Sequence, residues 1–163
     1  MSTLLATTSR LQKLHCAACR APYSAFSLQR VSDCCAQPLA KVAGIQSQDN
    51  SMWRYAALLP LLDEANRVTL GEGRTPLLTL PRLAARYGFQ DLQLKDEGQN
   101  PTGSFKARGL SMAISKAKEL GVTGCIIPTA GNAGVAMAAY CARAGMRAVV
   151  VMPRHTPEAF KST

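Results

Sequence analysis

From residue 91 onward the chain alternates between two hydrophobic periods, and this constrains its fold more than any other feature. Asp91-Leu-Gln-Leu-Lys95 alternates as a strand, and Ser104 to Leu120 sets Leu110, Ala113, Ile114, Ala117 and Leu120 at helical spacing before the stop at Gly121. Cys125-Ile-Ile-Pro128 reads as a short buried strand, Ala133 to Ala144 as a helix of mostly small residues ending at Gly145, and Ala148-Val-Val-Val-Met152 as a β-branched strand. This order predicts two right-handed crossovers and a parallel sheet, and apolar strands without alternation predict helices on both faces. The fold class expected is α/β. Thr156-Pro157-Glu158 reads as a further helix start with Thr156 as N-cap. The chain ends seven residues later, too soon for another crossover, so the expectation is an incomplete domain.

At 163 residues the chain has the length of one domain, which buries roughly 70% of its unfolded surface. With 47% hydrophobic and 18% charged residues it has the composition of a packed protein rather than a disordered one. The net charge of +9 is uneven: +3 in residues 1–50, zero in 51–100 and +6 in 101–163. Such an excess suits nucleic acid, an anionic membrane surface or a phosphorylated small molecule, and charge alone does not choose. No run approaches about 18 uncharged apolar residues, and MSTLLATTSRLQKLH lacks the pattern of an export leader. The reading is cytoplasmic, with the six cysteines as reduced thiols or metal ligands.

Three segments follow from the composition: 1–45, 46–90 and 91–163. The first holds Cys16-Ala-Ala-Cys19 and, fifteen residues on, the pair Cys34-Cys35. A CxxC followed by a second pair is how a zinc ribbon presents four thiolates. The second half departs from that pattern, because adjacent cysteines are expected to point apart and Ser32 stands where CxxC spacing from Cys35 needs a thiol. The expectation is a degenerate ribbon-like unit, with its metal left open. In the second segment, the apolar run Ala56 to Leu62 precedes Gly71-Glu-Gly-Arg-Thr-Pro76, which demands a turn. Pro81 then opens a short helix with Leu83, Ala84 and Tyr87 on one face and Gly88 as its stop.

Two loops carry chemistry, at the strand ends where open α/β sheets bind ligands. The first runs from Asp96 to Gly109 and puts Lys106 and Arg108 in the first turn of a helix, the wrong end for a cation. One reading is that the field there, with partial desolvation beside Phe105, disfavours an ammonium and favours a neutral amine, which attacks an aldehyde; the other is a solvated lysine next to a solvated arginine. The second, Thr129-Ala-Gly-Asn-Ala-Gly134, enters the small-residue helix. Its small residues admit a close ligand, its amides suit a carboxylate or phosphate, and Asn132 can donate or accept at a ring substituent. The same loop also reads as a plain turn with glycines for close packing. Neither GxGxxG nor GxxxxGK[ST] occurs in the chain.

Leu70-Gly-Glu-Gly-Arg-Thr-Pro-Leu77, Leu94 to Gly109 and Thr129 to Gly134, in that order, resemble the pyridoxal-phosphate enzymes of the tryptophan synthase β-subunit fold type (fold type II), and within them the threonine synthases. The unit before Trp53-Arg-Tyr55 resembles the N-terminal extension of one threonine synthase branch. The resemblance implies pyridoxal 5'-phosphate held by Lys106, which then serves as general base and acid. It implies that Asn132 hydrogen-bonds the cofactor's 3-hydroxyl, that Thr129, Gly131 and Ala133 take the substrate carboxylate, and that Ser104 and Phe105 flank the ring and lysine. The reaction implied converts O-phospho-L-homoserine and water to L-threonine and phosphate. Residues 46–90 would then be a linker and first elements, and 91–163 the smaller cofactor domain, truncated.

The family's later glycine-rich phosphate loop and pyridine-nitrogen partner have no counterpart in these residues, so weak cofactor binding and no turnover are expected of the 163 residues alone. Sister enzymes with the same lysine and asparagine are serine or threonine dehydratases, cysteate synthases and diaminopropionate ammonia-lyases. A nucleic-acid-binding ribbon module is the alternative of another class; 6% aromatic residues and dispersed Arg108, Lys116, Arg143 and Arg147 argue against it. The partner expected is a phosphorylated amino acid, not nucleic acid or membrane, with the oligomeric state open.

Overall fold

The computed structural model describes residues 13–24, 32–36, 39–40 and 49–161. The first twelve residues, part of the stretch read for a leader, lie outside them, as do Ser162 and Thr163. In chain order the elements are β1 (Lys13–Cys16), β2 (Pro22–Ser24), β3 (Leu39–Ala40), β4 (Leu77–Thr79), α1 (Pro81–Tyr87), β5 (Gln93–Lys95), α2 (Lys106–Glu119), β6 (Gly124–Pro128), α3 (Asn132–Ala144) and β7 (Arg147–Val151). Turns of 3₁₀ helix lie at Met52–Leu58, Glu64–Asn66, Glu97–Gln99 and Glu158–Phe160. Among the described residues no helix is long and apolar enough to cross a membrane.

The helix stops fall where glycine permits a left-handed residue. Gly88 and Gly145 cap α1 and α3 at φ +73° and +67°, and Gly121 follows α2 at +72°. Pro81 sits in the first turn of α1, where its missing N–H has no partner to lose. Only Ala84 of the expected α1 face is buried; Leu83 and Tyr87 are exposed.

The core lies where α2 and α3 pack together. Ala107 and Ile114 of α2 meet Met137, Tyr140 and Cys141 of α3, with Val68 closing the cluster and Cys125, Ile127 and Val150 packed against it from β6 and β7. Burying each large apolar side chain of this set contributes about 2 kcal/mol. Gly134 is required by this packing: a Cβ there would lie 2.9 Å from both Thr129 Cγ2 and Val150 Cγ1. The second cluster, Met52, Trp53 and Leu61, anchors the 3₁₀ segment that occupies the apolar run before the Gly71–Pro76 turn.

Three expectations change. β6 and β7 are parallel, in register from Gly124–Arg147 to Pro128–Val151, with α3 as crossover. The strand expected at 91–95 is not their neighbour: β5 pairs antiparallel with β4, Leu77 opposite Lys95, in a separate two-stranded sheet. A crossover argument assumes that successive strands share one sheet, and the Gly71–Pro76 turn instead brings β4 to this strand. The helices also cover one face only. The period of two sends Cys125 and Ile127 inward and leaves Ile126, Val149 and Val151 exposed on the other face. Lastly, Thr156 caps no α-helix; a single 3₁₀ turn begins at Glu158 with Pro157 at its cap position, and the Thr156 Oγ1 is buried without a hydrogen-bond partner among the described residues.

Candidate active site

The segment around Lys106 is held by two carboxylates that the sequence reading passed over. Glu97, in the 3₁₀ turn after β5, accepts two parallel bonds from Arg108, Nε to Oε2 at 2.6 Å and Nη2 to Oε1 at 2.7 Å. Thr75 Oγ1 donates to the same Oε1 at 2.7 Å and Asn100 Nδ2 to Oε2 at 3.0 Å. This fork by Arg108, with the further donors, holds the Glu97 carboxyl down to about 2. Asn100 Oδ1 in turn accepts from Gly73 N at 3.1 Å, and Lys95 Nζ donates to the Thr75 carbonyl. The motif Gly71–Pro76 is thereby stitched to the loop that leads into α2. Arg108, read as a cation at the unfavourable end of a helix, is neutralised by its ion pair.

Glu72 is the second carboxylate, fully buried. It accepts from Trp53 Nε1 at 2.8 Å, Ser111 Oγ at 2.6 Å, Tyr140 O–H at 2.6 Å, Leu70 N at 3.0 Å and Thr69 Oγ1 at 3.2 Å. Burial opposes its ionisation, yet the converging donors prevail and hold its carboxyl below the ordinary range. The same burial, with the bond to Glu72, pushes the Tyr140 hydroxyl well above its usual value. Because Ser111 belongs to α2 and Tyr140 to α3, this carboxylate joins the two helices. Gly73 beside it adopts φ +100°, and a Cβ there would meet Met52 N at 2.5 Å, so glycine is obligatory in the turn.

Against this saturated scaffold, the two helix starts are left open. Ser104 is buried and its Oγ accepts from Lys106 N at 3.3 Å, while Phe105 is the half-exposed N-cap residue of α2. Lys106 is half-buried with its Nζ 4.4 Å from the centroid of the Phe105 ring. Among the described residues its ammonium makes no ion pair or hydrogen bond, and α2 has no acidic residue in its first turn. At α3, Gly131 is the N-cap with extended backbone and no side-chain cap, and its N–H donates to Thr129 Oγ1 at 3.3 Å. Asn132 is exposed at the first helical position, Ala133 half-buried behind it. A Cβ on Gly131 would meet no atom within 4 Å, so space stands open at this turn.

The seven residues expected at the site thus form two groups, Ser104–Phe105–Lys106 and Thr129–Gly131–Asn132–Ala133. The groups are linked through Ser111 and Tyr140 on Glu72 rather than by a hydrogen bond of their own. Gly131 also borders a cavity of about 210 Å³ with Gly134, Val135, Ala138, Val150, Met152 and Lys161; neither Lys106 nor Asn132 lines it. A broader depression of about 530 Å³ along α1, between Thr79 and Arg86, touches none of the seven. For Glu97 a signal was present, since an arginine in a helix's first turn calls for a nearby carboxylate; nothing in the sequence distinguished Glu72 from an exposed turn residue.

A primary amine and a side-chain amide that are both unpaired among the described residues, beside a helix start without a side-chain cap, suit an aldehyde cofactor with polar substituents. The comparisons agree: the family model for pyridoxal-phosphate dependent enzymes matches residues 68–163. This chain belongs to that family, whose cofactor is pyridoxal 5'-phosphate. More particularly, it is 44% identical over 109 residues to the threonine synthase of Methanosarcina acetivorans, covering 67% of this chain and 26% of that protein. It is 48% identical over 108 residues to the threonine synthase of Halalkalibacterium halodurans, covering 63% and 30%. With that of Synechocystis it shares 50% over 101 residues, covering 61% and 26%. The chain therefore spans about a quarter to a third of the length of these curated relatives.

Proposed function

We propose that these residues are the lysine-bearing part of a threonine synthase, which converts O-phospho-L-homoserine and water to L-threonine and phosphate. The observation that carries this reading is the Lys106 amine, set at the first turn of α2 without a carboxylate partner among the described residues, while the neighbouring Arg108 is paired with Glu97. In this role Lys106 Nζ would hold the cofactor at its aldehyde and would take and return protons at the substrate carbons. Asn132 supplies the amide for the ring hydroxyl. The uncapped first turn of α3, with Thr129, Gly131 and Ala133, receives the substrate carboxylate. Ser104 and Phe105 fix the approach to the lysine. When bound, pyridoxal phosphate supplies the electron sink that makes those protons removable. The +6 balance of residues 101–163 favours a phosphorylated, anionic substrate over nucleic acid or membrane. We place residues 1–45 as an extension, 46–90 as the connecting elements and 91–163 as the smaller cofactor domain.

The test is to join these residues to the C-terminal remainder of the Halalkalibacterium halodurans enzyme and supply pyridoxal phosphate. Phosphate release from O-phospho-L-homoserine is expected. Release of ammonia from serine or threonine, with no phosphate from phosphohomoserine, would instead make this a dehydratase.

A further inference from the structure

We propose that Cys16, Cys19, Cys34 and Cys35 form a structural zinc site of four thiolates, a function separate from the lysine-bearing centre. Their four sulfur atoms all lie within 4.8 Å of one another, and Cys19 Sγ is 3.2 Å from Cys34 Sγ. A tetrahedral tetrathiolate with Zn–S of about 2.3 Å separates its sulfurs by about 3.8 Å, within the range these four already span. The expectation that adjacent cysteines diverge holds for extended backbone. Here Cys34 and Cys35 sit in a tight turn, which brings both to one side.

The backbone explains how a second half that looked defective still supplies two ligands. Arg20 N donates to Cys16 O at 3.0 Å and Ala36 N to Ser32 O at 2.8 Å, so each half is closed by the same four-residue return. Each return ends on a non-glycine residue in the left-handed region, Arg20 at φ +65° and Ala36 at +51°, an uncommon conformation that recurs at equivalent places. The two halves are thus matching knuckles, with Cys16 equivalent to Ser32 and Cys19 to Cys35. Ser32 occupies the place of the missing thiol, buried, and its hydroxyl donates to Cys16 Sγ at 3.2 Å. Such a donor orients a ligand from outside the coordination sphere. Cys34, inside the second knuckle, provides the fourth sulfur instead, and its N–H donates to Tyr23 O–H on β2 at 3.0 Å.

Soft thiolates at this spacing select zinc over magnesium or calcium. Binding takes up one Zn²⁺ and releases the four thiol protons, with no change of oxidation state. A 3.2 Å separation is well beyond an S–S bond of about 2.05 Å, and pairing Cys19 with Cys34 would leave two further thiols crowded beside it.

The experiment purifies the 163-residue chain under reducing conditions, without chelator, and measures metal by mass spectrometry. About one zinc per chain is expected, and replacing it by Co²⁺ should give the thiolate charge-transfer bands and intense visible bands of a tetrahedral tetrathiolate. Cys34→Ala should drop zinc to below about one chain in five, and adding Ser32→Cys to that variant should restore it by completing the second CxxC knuckle. Cys125→Ala, outside the cluster, should keep full occupancy. Four freely titrating thiols with no metal after incubation with zinc would overturn the site. So would a Cys19–Cys34 disulfide that persists in reductant, or full zinc in Cys34→Ala.

Discussion

The two ends of the lysine segment differ in how their polar groups are satisfied. On the side facing the Gly71–Pro76 turn, Glu72 and Glu97 receive all their partners at hydrogen-bond distance, from Trp53, Ser111 and Tyr140 on one and Arg108, Thr75 and Asn100 on the other. At the starts of α2 and α3, the Lys106 amine and the Asn132 amide have no such partners among the described residues, and neither helix has a side-chain cap. Buried polar groups left unpaired are destabilising, so stability concentrates in the first region. Groups left open in the second are available to a ligand and are positioned by the first. The difference is that of a scaffold and the site proposed beside it.

The sharpest test removes the open group. In the chain completed with the C-terminal remainder, Lys106→Ala should abolish the visible absorbance of bound cofactor and lower phosphate release by about a thousandfold. In the 163-residue chain the same change should leave the free energy of unfolding in urea within about 0.5 kcal/mol of the original. A large loss of stability would mean that Lys106 belongs to the scaffold.

Removing the scaffold should do the reverse. Glu72→Ala strands the Trp53, Ser111 and Tyr140 donors in the core and should destabilise by about 4 kcal/mol in urea unfolding, whereas Glu72→Gln, which keeps acceptors, should lose less. A neutral result for the alanine variant would break the distinction between the two regions.

Glu97 gives the same distinction a pH signature. Its folded value is depressed to about 2, so its contribution is fully present above the unfolded value near about 4.3 and is lost as pH falls through the folded value. Arg108→Ala should destabilise by about 2 kcal/mol at neutral pH and flatten the acid limb between those values. A carboxyl titration of Glu97 followed by NMR should move up towards its ordinary range in that variant.

The smallest effect expected is at Gly134, where an added Cβ would press on Thr129 and Val150 at 2.9 Å. Gly134→Ala should cost about 1 to 2 kcal/mol in the same unfolding measurement. It should also displace the Thr129 turn, so the completed enzyme would lose cofactor affinity beyond what the stability change alone explains.

Local chemistry determined much of this protein from the sequence alone. Both core helices, the parallel pair β6 and β7, the proline start of α1 and the glycine stops were legible, because periodicity and φ preference act within a few residues. So were the two loops that carry Lys106 and Asn132, since an ill-placed cation and a small-residue turn stand out from their neighbours. Only the tertiary structure decided the partners. It paired β5 with β4 rather than β6, left one face of the parallel pair bare, placed Glu72 between two helices and Glu97 on Arg108, and gathered four sulfurs around the gap left by Ser32. Each of these joins residues distant along the chain. Their energies depend on burial and on the geometry of approach, which no local pattern encodes.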